Sequence, residues 1–177
     1  MDPSLTGKWI LQPEGSDHYH GLDMVQGMPM LAYVSGNEKQ FMNITTSVPP
    51  TDTEEIIIAC QSARGKNEDH FQLGKLNFFM CEKGPILSAV VYCNDFFREF
   101  SLLWLGPNPS QRCLAHFRLG RRGKELRVDF QILAPEMGFL KLVKYFSRCP
   151  NSVDTNIPPQ SFQKILPLVC ATRGWVT

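Results

Sequence analysis

The pattern of apolar and polar positions is clearest in residues 96–105, where it alternates with a period of two. Successive side chains of a strand point to opposite faces, so this alternation predicts a strand with one apolar face. The preceding pair, Asn94 and Asp95, predicts a turn, because both side chains can bond their own backbone and tolerate left-handed dihedral angles. The apolar face would carry the even-numbered residues Phe96, Arg98, Phe100, Leu102 and Trp104, of which only Arg98 is polar.

Strand-like runs recur along most of the chain at short, regular intervals, separated by glycine, proline and Asn-Asp turn signals. Such a series without intervening helices predicts an all-β fold, either a sandwich or an up-and-down antiparallel barrel. A count of about eight strands favours the closed barrel, whose interior holds side chains and one small ligand. The eight predicted strands are residues 8–11, 39–48, 54–61, 69–73, 75–81, 86–93, 96–105 and 113–119.

One helix is predicted near the end of the chain, over residues 135–148. Its apolar residues recur at i, i+3, i+4 and i+7, the spacing of one helical face. Such a helix would lie with this face against the outside of the barrel. We expect residues 12–37 to form a long loop that serves as a lid, and residues 149–177 to form an extended tail. The apolar residues of the predicted helix are Phe139, Leu142, Val143 and Phe146.

Length and charge narrow the classes of function. At 177 residues the chain predicts a single domain that is large enough to bury its own core, and we expect a monomer. The 18 basic and 17 acidic residues nearly cancel, which argues against nucleic acid or a membrane surface as a partner. We expect neither a membrane span nor a signal peptide at the start of the chain.

Six cysteines in a domain of this size favour a disulfide framework and an oxidising, extracellular compartment. The alternative is that Cys60, Cys81 and Cys93 are buried free thiols, because free cysteine is often a small core residue. No pair of cysteines has the C-x-x-C spacing, so a structural zinc site is not expected. Asn43 begins the glycosylation sequon Asn-Ile-Thr, which agrees with secretion. The disulfide candidates are Cys60, Cys149 and Cys170.

Three short segments resemble the three signature regions of the lipocalin family. The resemblance implies a closed barrel with a calyx for a small ligand, and structural roles for Gly7 and Asp95. It also implies that Trp9 plugs the closed end while Arg121 or Arg122 lies over its indole in a cation–π contact. The segments are Gly7-Lys8-Trp9 before the first strand, Asn94-Asp95-Phe96 at the predicted turn, and Leu119-Gly120-Arg121-Arg122 after the eighth strand.

The end of the chain is most similar to the orosomucoid branch of that family, the plasma acid glycoproteins, and to related fish proteins that bind saxitoxin and tetrodotoxin. The chain departs from the family pattern in two places. Asn94 and Phe96 stand where the family usually has threonine and tyrosine, and an N-terminal cysteine of orosomucoid is missing. The resemblance favours a toxin, a drug-like molecule or another xenobiotic as ligand over a retinoid or a fatty acid.

The ligand would contact the residues that line the calyx, and two phases of residues 96–105 are open. Turning the even-numbered residues inward places Arg98 inside, where a buried cation requires a partner or an acidic ligand. The opposite phase turns Phe97, Glu99, Ser101 and Leu103 inward and offers a carboxylate to a cationic ligand. We favour the first phase. The candidate lining residues are Phe96, Arg98, Phe100, Trp104, Tyr92, Ser88, Phe117, His70, Gln72, Phe78 and Asn43.

Metal binding and catalysis have little support in the sequence. His18 and His20 lie in a glycine-rich loop without an adjacent carboxylate cluster, so we expect solvated side chains and no metal or cofactor. The expected function is that of a secreted carrier, not an enzyme, which sequesters a small, mainly hydrophobic or amphipathic molecule. Two alternatives stay open. One is a calyx-thiol isomerase of the prostaglandin-synthase lipocalin type, with Cys60 or Cys81 as nucleophile, and the other is a ligand-free immunomodulatory protein.

Overall fold

The computed structural model describes residues 4–17, 39–46, 55–62, 65–81, 84–94, 96–107, 110–134 and 138–149. In these ranges the chain forms ten β-strands and no helix. The strands are β1 (Gly7–Gln12), β2 (Gln40–Thr46), β3 (Glu55–Ser62), β4 (Gly65–Gln72), β5 (Asn77–Cys81), β6 (Gly84–Cys93), β7 (Glu99–Leu105), β8 (Arg112–Leu119), β9 (Glu125–Ala134) and β10 (Gly138–Arg148).

The ten strands form one antiparallel sheet in the order β4-β3-β2-β1-β10-β9-β8-β7-β6-β5. The pairing of β1 with β10 joins the first strand to the last. The two edge strands also approach each other, because Asn77 Nδ2 on β5 donates a hydrogen bond of 3.4 Å to the carbonyl oxygen of His70 on β4. At the same seam the rings of Phe71 and Trp104 meet edge to face, with centroids 5.7 Å apart. The sheet is therefore curled into a nearly closed barrel.

The predicted helix over residues 135–148 is wrong, because residues 138–148 form strand β10. The strand pairs with β9 along most of its length and with β1 at its end. Leu142 and Phe146 fit a helical face, but they are four residues apart and therefore also share one face of a strand. Burial follows the strand period: Leu142, Lys144 and Phe146 are buried, and the residues between them are only partly so.

Strand β9 is the second departure from the predicted eight strands. Its pattern is a plain alternation, in which Leu126, Val128, Phe130 and Ile132 are buried in the core and the intervening residues are not. This period of two is the signal of a half-buried strand and was present in the sequence. The correct count of ten strands follows from adding β9 and from replacing the helix by β10.

The beginning of the predicted lid continues the wall of the barrel. Ser16 Oγ accepts a hydrogen bond of 2.9 Å from the backbone N–H of Tyr145. The backbone N–H of Asp17 donates to the carbonyl oxygen of Val143 at 2.8 Å, and the Asp17 carboxylate accepts a hydrogen bond of 3.0 Å from the N–H of Val143. The rest of the predicted lid and tail, Asp95 and Cys170 lie outside the described residues. No helix in the described ranges is long and apolar enough to cross a membrane.

Candidate ligand-binding site in the barrel interior

One end of the barrel is closed around Trp9, which is fully buried. Its indole N–H donates to the carbonyl oxygen of Leu5 at 3.0 Å, and the guanidinium carbon of Arg148 lies 4.2 Å from the ring centroid. Arg148 in turn donates to the carbonyl oxygens of Gly123, Thr6 and Ser4, at 2.9, 2.9 and 2.8 Å. A cation–π contact of this kind, with a half-buried arginine over the ring, is worth about 1 kcal/mol.

The cation above Trp9 is not Arg121 or Arg122, as the resemblance implied. Both of these arginines are exposed in the turn between β8 and β9. Arg148 takes the place because β10 is the last strand of the barrel and pairs with β1, in a register that puts it opposite Trp9. Residue 7 must be glycine, because its φ is +138° and a Cβ there would come within 2.6 Å of Arg148 Nη1.

Above this plug, aromatic rings fill the barrel. The rings of Phe97 and Phe100 stack with centroids 5.3 Å apart, and those of Phe100 and Phe117 stack at 4.3 Å. Phe97 reaches the core from the turn before β7 with a φ of +51°, a left-handed conformation that is uncommon for a bulky residue. Phe100, Phe117 and Val128 are all 0 % exposed and belong to the apolar core.

On strand β7 the apolar core residues are Phe100, Leu102 and Trp104, which is the phase that the sequence favoured; Ser101 of the opposite phase is also buried. The two predicted residues before them do not belong to the lining. Phe96 is 71 % exposed, because the strand begins only at residue 99 and Phe96 lies in the turn. Arg98 belongs to the same turn, where its backbone N–H donates to Asn94 Oδ1 at 2.8 Å and its guanidinium to the carbonyl oxygen of Gly120 at 3.4 Å.

The other predicted lining residues divide between the two faces of the sheet. Ser88 and Phe117 are buried and face the interior. Tyr92 is exposed, because the register of β6 shifts between Val90 and Tyr92. The remaining predictions fail for a simpler reason: each residue has the strand phase opposite to that of its buried neighbours, so its side chain belongs to the outer face. These residues are Asn43, His70, Gln72 and Phe78.

A group of polar side chains lies inside the barrel, and the sequence analysis missed all but one of its members. They come from β2, β3, β4 and β10, and each has the same phase as the apolar core residues of its strand. Each is also at least 94 % buried. Asn67 and Lys144 were missed because the start of β4 was assigned to a turn and β10 to a helix. We call it the polar cluster; its members are Gln40, Cys60, Ser62, Asn67, Asp69 and Lys144.

The members of the polar cluster act on one another. Asn67 Nδ2 donates a hydrogen bond of 2.8 Å to Asp69 Oδ2. Burial raises the pKa of the Cys60 thiol, the charge of Asp69 raises it further, and the charge of Lys144 lowers it. A carboxylate and an ammonium group of opposite sign therefore lie close to the same buried thiol.

Several buried polar atoms in the interior have no hydrogen-bond partner among the described residues. They include both amide atoms of Gln40, the hydroxyl of Ser88 and the indole N–H of Trp104. Ser88 and Trp104 are direct cross-strand partners on β6 and β7. A buried polar atom without a partner costs about 1–3 kcal/mol, so a folded protein rarely keeps several of them close together unless something else satisfies them.

The cysteines do not form the predicted disulfide framework in the described residues. Cys60, Cys113 and Cys149 are free thiols, which corrects the assignment of Cys60 and Cys149 as disulfide candidates. Cys60 and Cys113 belong to the apolar core, as small buried residues. Burial raises the pKa of both thiols, so they are protonated at neutral pH.

The outer face carries two further features of chemical interest. A groove of about 280 Å³ crosses β1–β4, and Asn43 of the sequon lines it together with Lys8 and Phe41. On β7 and β8, Ser101 Oγ lies 2.5 Å from His116 Nδ1, and Asp129 is the cross-strand partner of this histidine on β9.

Ser101, His116 and Asp129 do not have the geometry of a hydrolytic triad. In such a triad the carboxylate holds Nδ1 of the histidine and the serine bonds Nε2, whereas here Ser101 is at Nδ1. The Asp129 carboxylate also accepts three hydrogen bonds from Arg127, at 3.1, 3.0 and 2.8 Å. Within the described ranges, no group of three or more histidine, cysteine, aspartate or glutamate side chains is arranged to hold a metal ion.

The barrel is similar to the crystal structure of secretory abundant heat soluble protein 4 from Ramazzottius varieornatus. The two superpose with a TM-score of 0.59 and 12 % sequence identity, over 85 % of this chain and 98 % of that one. At this identity the likeness shows the fold alone. No family model matches the sequence, and no curated protein matches it.

The comparisons bear on the lipocalin resemblance at the level of fold. A nearly closed antiparallel barrel agrees with it, although the barrel has ten strands instead of eight. The narrower similarity to orosomucoid is not supported by any of the comparisons. That similarity depended on a C-terminal helix followed by an extended tail. Residues 138–148 form a strand instead of this helix.

Proposed function

We propose that this protein binds one small amphipathic molecule inside the barrel and acts as a carrier or sequestering protein. The observation that carries the proposal is the set of buried polar atoms without partners at Gln40, Ser88 and Trp104. A bound molecule with hydrogen-bonding groups would satisfy these atoms, while the surrounding apolar side chains would hold its hydrocarbon part. A toxin or other xenobiotic of this character would fit the same description.

The proposal includes a location outside the cell. The similar barrel is described as a secretory protein, and Asn43 lies in a groove on the outer face, where a glycan would not disturb the interior. The free thiols do not oppose this location, because Cys60 and Cys113 are shielded by burial from oxidation.

Binding is favoured over thiol catalysis and over a ligand-free role. A nucleophilic cysteine requires a lowered pKa and some exposure, and burial raises the pKa of Cys60 instead. A barrel without a ligand would be expected to fill its interior with satisfied groups, as it does around Trp9 and Phe100. The polar atoms without partners are the feature that this alternative does not explain.

Native mass spectrometry of the protein purified from its source tests the proposal. We expect a mass excess that corresponds to one small molecule and disappears on denaturation. The stripped protein should then bind the extracted molecule again in a titration calorimeter. A protein that carries no molecule and rebinds none of the extracted material would overturn the proposal.

A matched pair of variants locates the site. Gln40→Leu removes two unpartnered polar atoms, so we expect it to weaken binding about tenfold while the stability of the empty barrel stays the same or rises. Gln131→Leu makes the same chemical change at an exposed position of β9 and should leave binding unchanged. Equal effects of the two variants would place the ligand elsewhere.

A further inference from the structure

The charges inside the barrel indicate what kind of polar group the ligand carries. In the described part of the chain, Asp69 and Lys144 are the two buried charged side chains, 6 % and 1 % exposed. They lie on β4 and β10, in the phase that faces the interior. The formal charge of the polar cluster is therefore zero, with one carboxylate and one ammonium group.

The two charges both act on the buried Cys60 thiol. Asp69 is held by its hydrogen bond from Asn67, the cross-strand partner of Cys60. Both Asp69 and Lys144 act electrostatically on the Cys60 thiol, with opposite signs. A buried charge is tolerated only where a counter-charge or several hydrogen bonds compensate it, and here each charge has the other close at hand.

A ligand with a net charge would disturb this balance. A carboxylate placed beside Lys144 would also enter the field of Asp69, and an ammonium group beside Asp69 would enter the field of Lys144. Either ligand would leave one uncompensated charge in an interior that is almost closed to water, where such a charge is costly.

Three neutral side chains of the interior keep hydrogen-bonding capacity. The amide of Gln40 offers a donor and an acceptor, the Ser88 hydroxyl can do both, and the indole of Trp104 offers a donor. These groups can satisfy an alcohol, an amide or an ester, each of which needs one or two hydrogen bonds and adds no charge.

We therefore propose that the ligand's polar group is uncharged, an alcohol, amide or ester, held by Gln40, Ser88 and Trp104 beside the balanced pair of Asp69 and Lys144. This inference rests on the proposed binding function and makes it more specific. It separates this barrel from carriers that neutralise a fatty acid or an amine with one unbalanced charge.

A panel of four probes tests the inference on the wild-type protein. The probes share one medium-length alkyl chain and end in an alcohol, a primary amide, a carboxylate or an ammonium group. We expect the alcohol and the amide to bind at least about tenfold more tightly than both charged probes in calorimetry near neutral pH. A carboxylate or ammonium probe that binds as tightly as the neutral ones would overturn the inference but not the binding function. If no probe and no extracted molecule binds, the binding function itself fails.

Two variants should reverse the preference in opposite directions. Lys144→Met leaves Asp69 as the buried charge, so the ammonium probe should become the tightest binder. Asp69→Asn leaves Lys144, so the carboxylate probe should become the tightest. Circular dichroism establishes that each variant is folded before titration, and the wild-type panel decides the question alone if a variant unfolds. Folded variants that keep the wild-type order of probes would overturn the role assigned to the two charges.

Discussion

Among the described residues, two tryptophans are buried, and they differ in whether the indole N–H has a hydrogen-bond partner. Trp9 donates its indole N–H to the carbonyl oxygen of Leu5 and has the Arg148 guanidinium over its face. Trp104 meets Phe71 edge to face, but its indole N–H has no partner among the described residues. The polar edge of Trp9 is therefore satisfied within the protein, whereas Trp104 keeps an unused hydrogen-bond donor in the interior.

The same contrast separates the two regions as wholes. Around Trp9 the polar groups are paired, whereas Gln40, Ser88 and Trp104 keep hydrogen-bonding capacity inside the barrel and Asp69 and Lys144 place charges there. A fold gains little stability from unpartnered polar atoms, because each loses its hydration without replacement. We infer that the aromatic end stabilises the barrel and that the polar interior is kept for binding.

Of the substitutions that test this difference, Lys144→Met should have the largest effect on stability. It leaves the buried Asp69 carboxylate without its nearby cation, so we expect the free energy of unfolding to fall by about 3–5 kcal/mol in urea denaturation. Lys141→Met on the exposed face of the same strand is the control and should cost less than about 0.5 kcal/mol. Adding Asp69→Leu to Lys144→Met should recover most of the loss. A double variant that shows the full sum of both single losses would mean that the two charges are independent.

The same substitution at the two tryptophans compares the regions directly. Trp9→Phe loses the hydrogen bond to Leu5, weakens the contact with Arg148 and reduces the volume, so we expect a loss of about 3 kcal/mol. Trp104→Phe loses volume but also removes an unpartnered N–H, so its cost should stay below about 1 kcal/mol. Urea denaturation of the ligand-free variants measures both values. Equal losses would remove the distinction between the two regions.

Much of the fold could be predicted from the sequence, because a strand with one buried face leaves a period of two in the chain. The inward phase of Phe100, Leu102 and Trp104 follows from that pattern, and so does the all-β class. Strand β10 was assigned to a helix because its apolar residues also fit the spacing of a helical face, while Lys144 occupies an inward position of the strand. A lysine on an inward face contradicts simple patterning unless a counter-charge lies nearby.

That counter-charge could not be inferred locally, since Asp69 is brought near Lys144 only by the closure of the sheet. The cation over Trp9 has the same explanation. Arg148 is opposite Trp9 because β10 pairs with β1. The register of this pairing cannot be read from the sequence of either strand alone. The site therefore depends on contacts between distant segments, which periodicity does not specify.

A comparison of two glycines tests how much the position of Arg148 contributes to the stability of the closed end. Gly7 and Gly74 both have positive φ, but a Cβ at residue 74 would meet nothing within 4 Å, whereas at residue 7 it would collide with Arg148. Gly74→Ala should therefore cost about 1 kcal/mol from backbone strain alone. Gly7→Ala should cost roughly 2–3 kcal/mol, because Arg148 must also leave its place over Trp9. Thermal or urea unfolding measures the difference, and equal costs would show that Arg148 adapts without loss.

The smallest expected effect lies on the outer face, away from both regions. His70 Nδ1 is 2.8 Å from Glu55 and Nε2 is 2.7 Å from Glu68. Partial burial lowers the pKa of His70, but the hydrogen bonds and charges of Glu68 and Glu55 together outweigh it and raise the pKa above the ordinary value.

A raised pKa in the folded state gives stability that is fully present below the ordinary histidine pKa of about 6.5 and is lost as pH rises through the folded pKa. The His70 side chain is 45 % exposed, so solvent screening should keep the contribution below about 1 kcal/mol. The difference in unfolding free energy between wild type and His70→Gln should therefore be larger at about pH 5.5 than at about pH 8.5. A difference that grows with pH would contradict the assignment, because it would require a lowered pKa for His70 in the folded barrel.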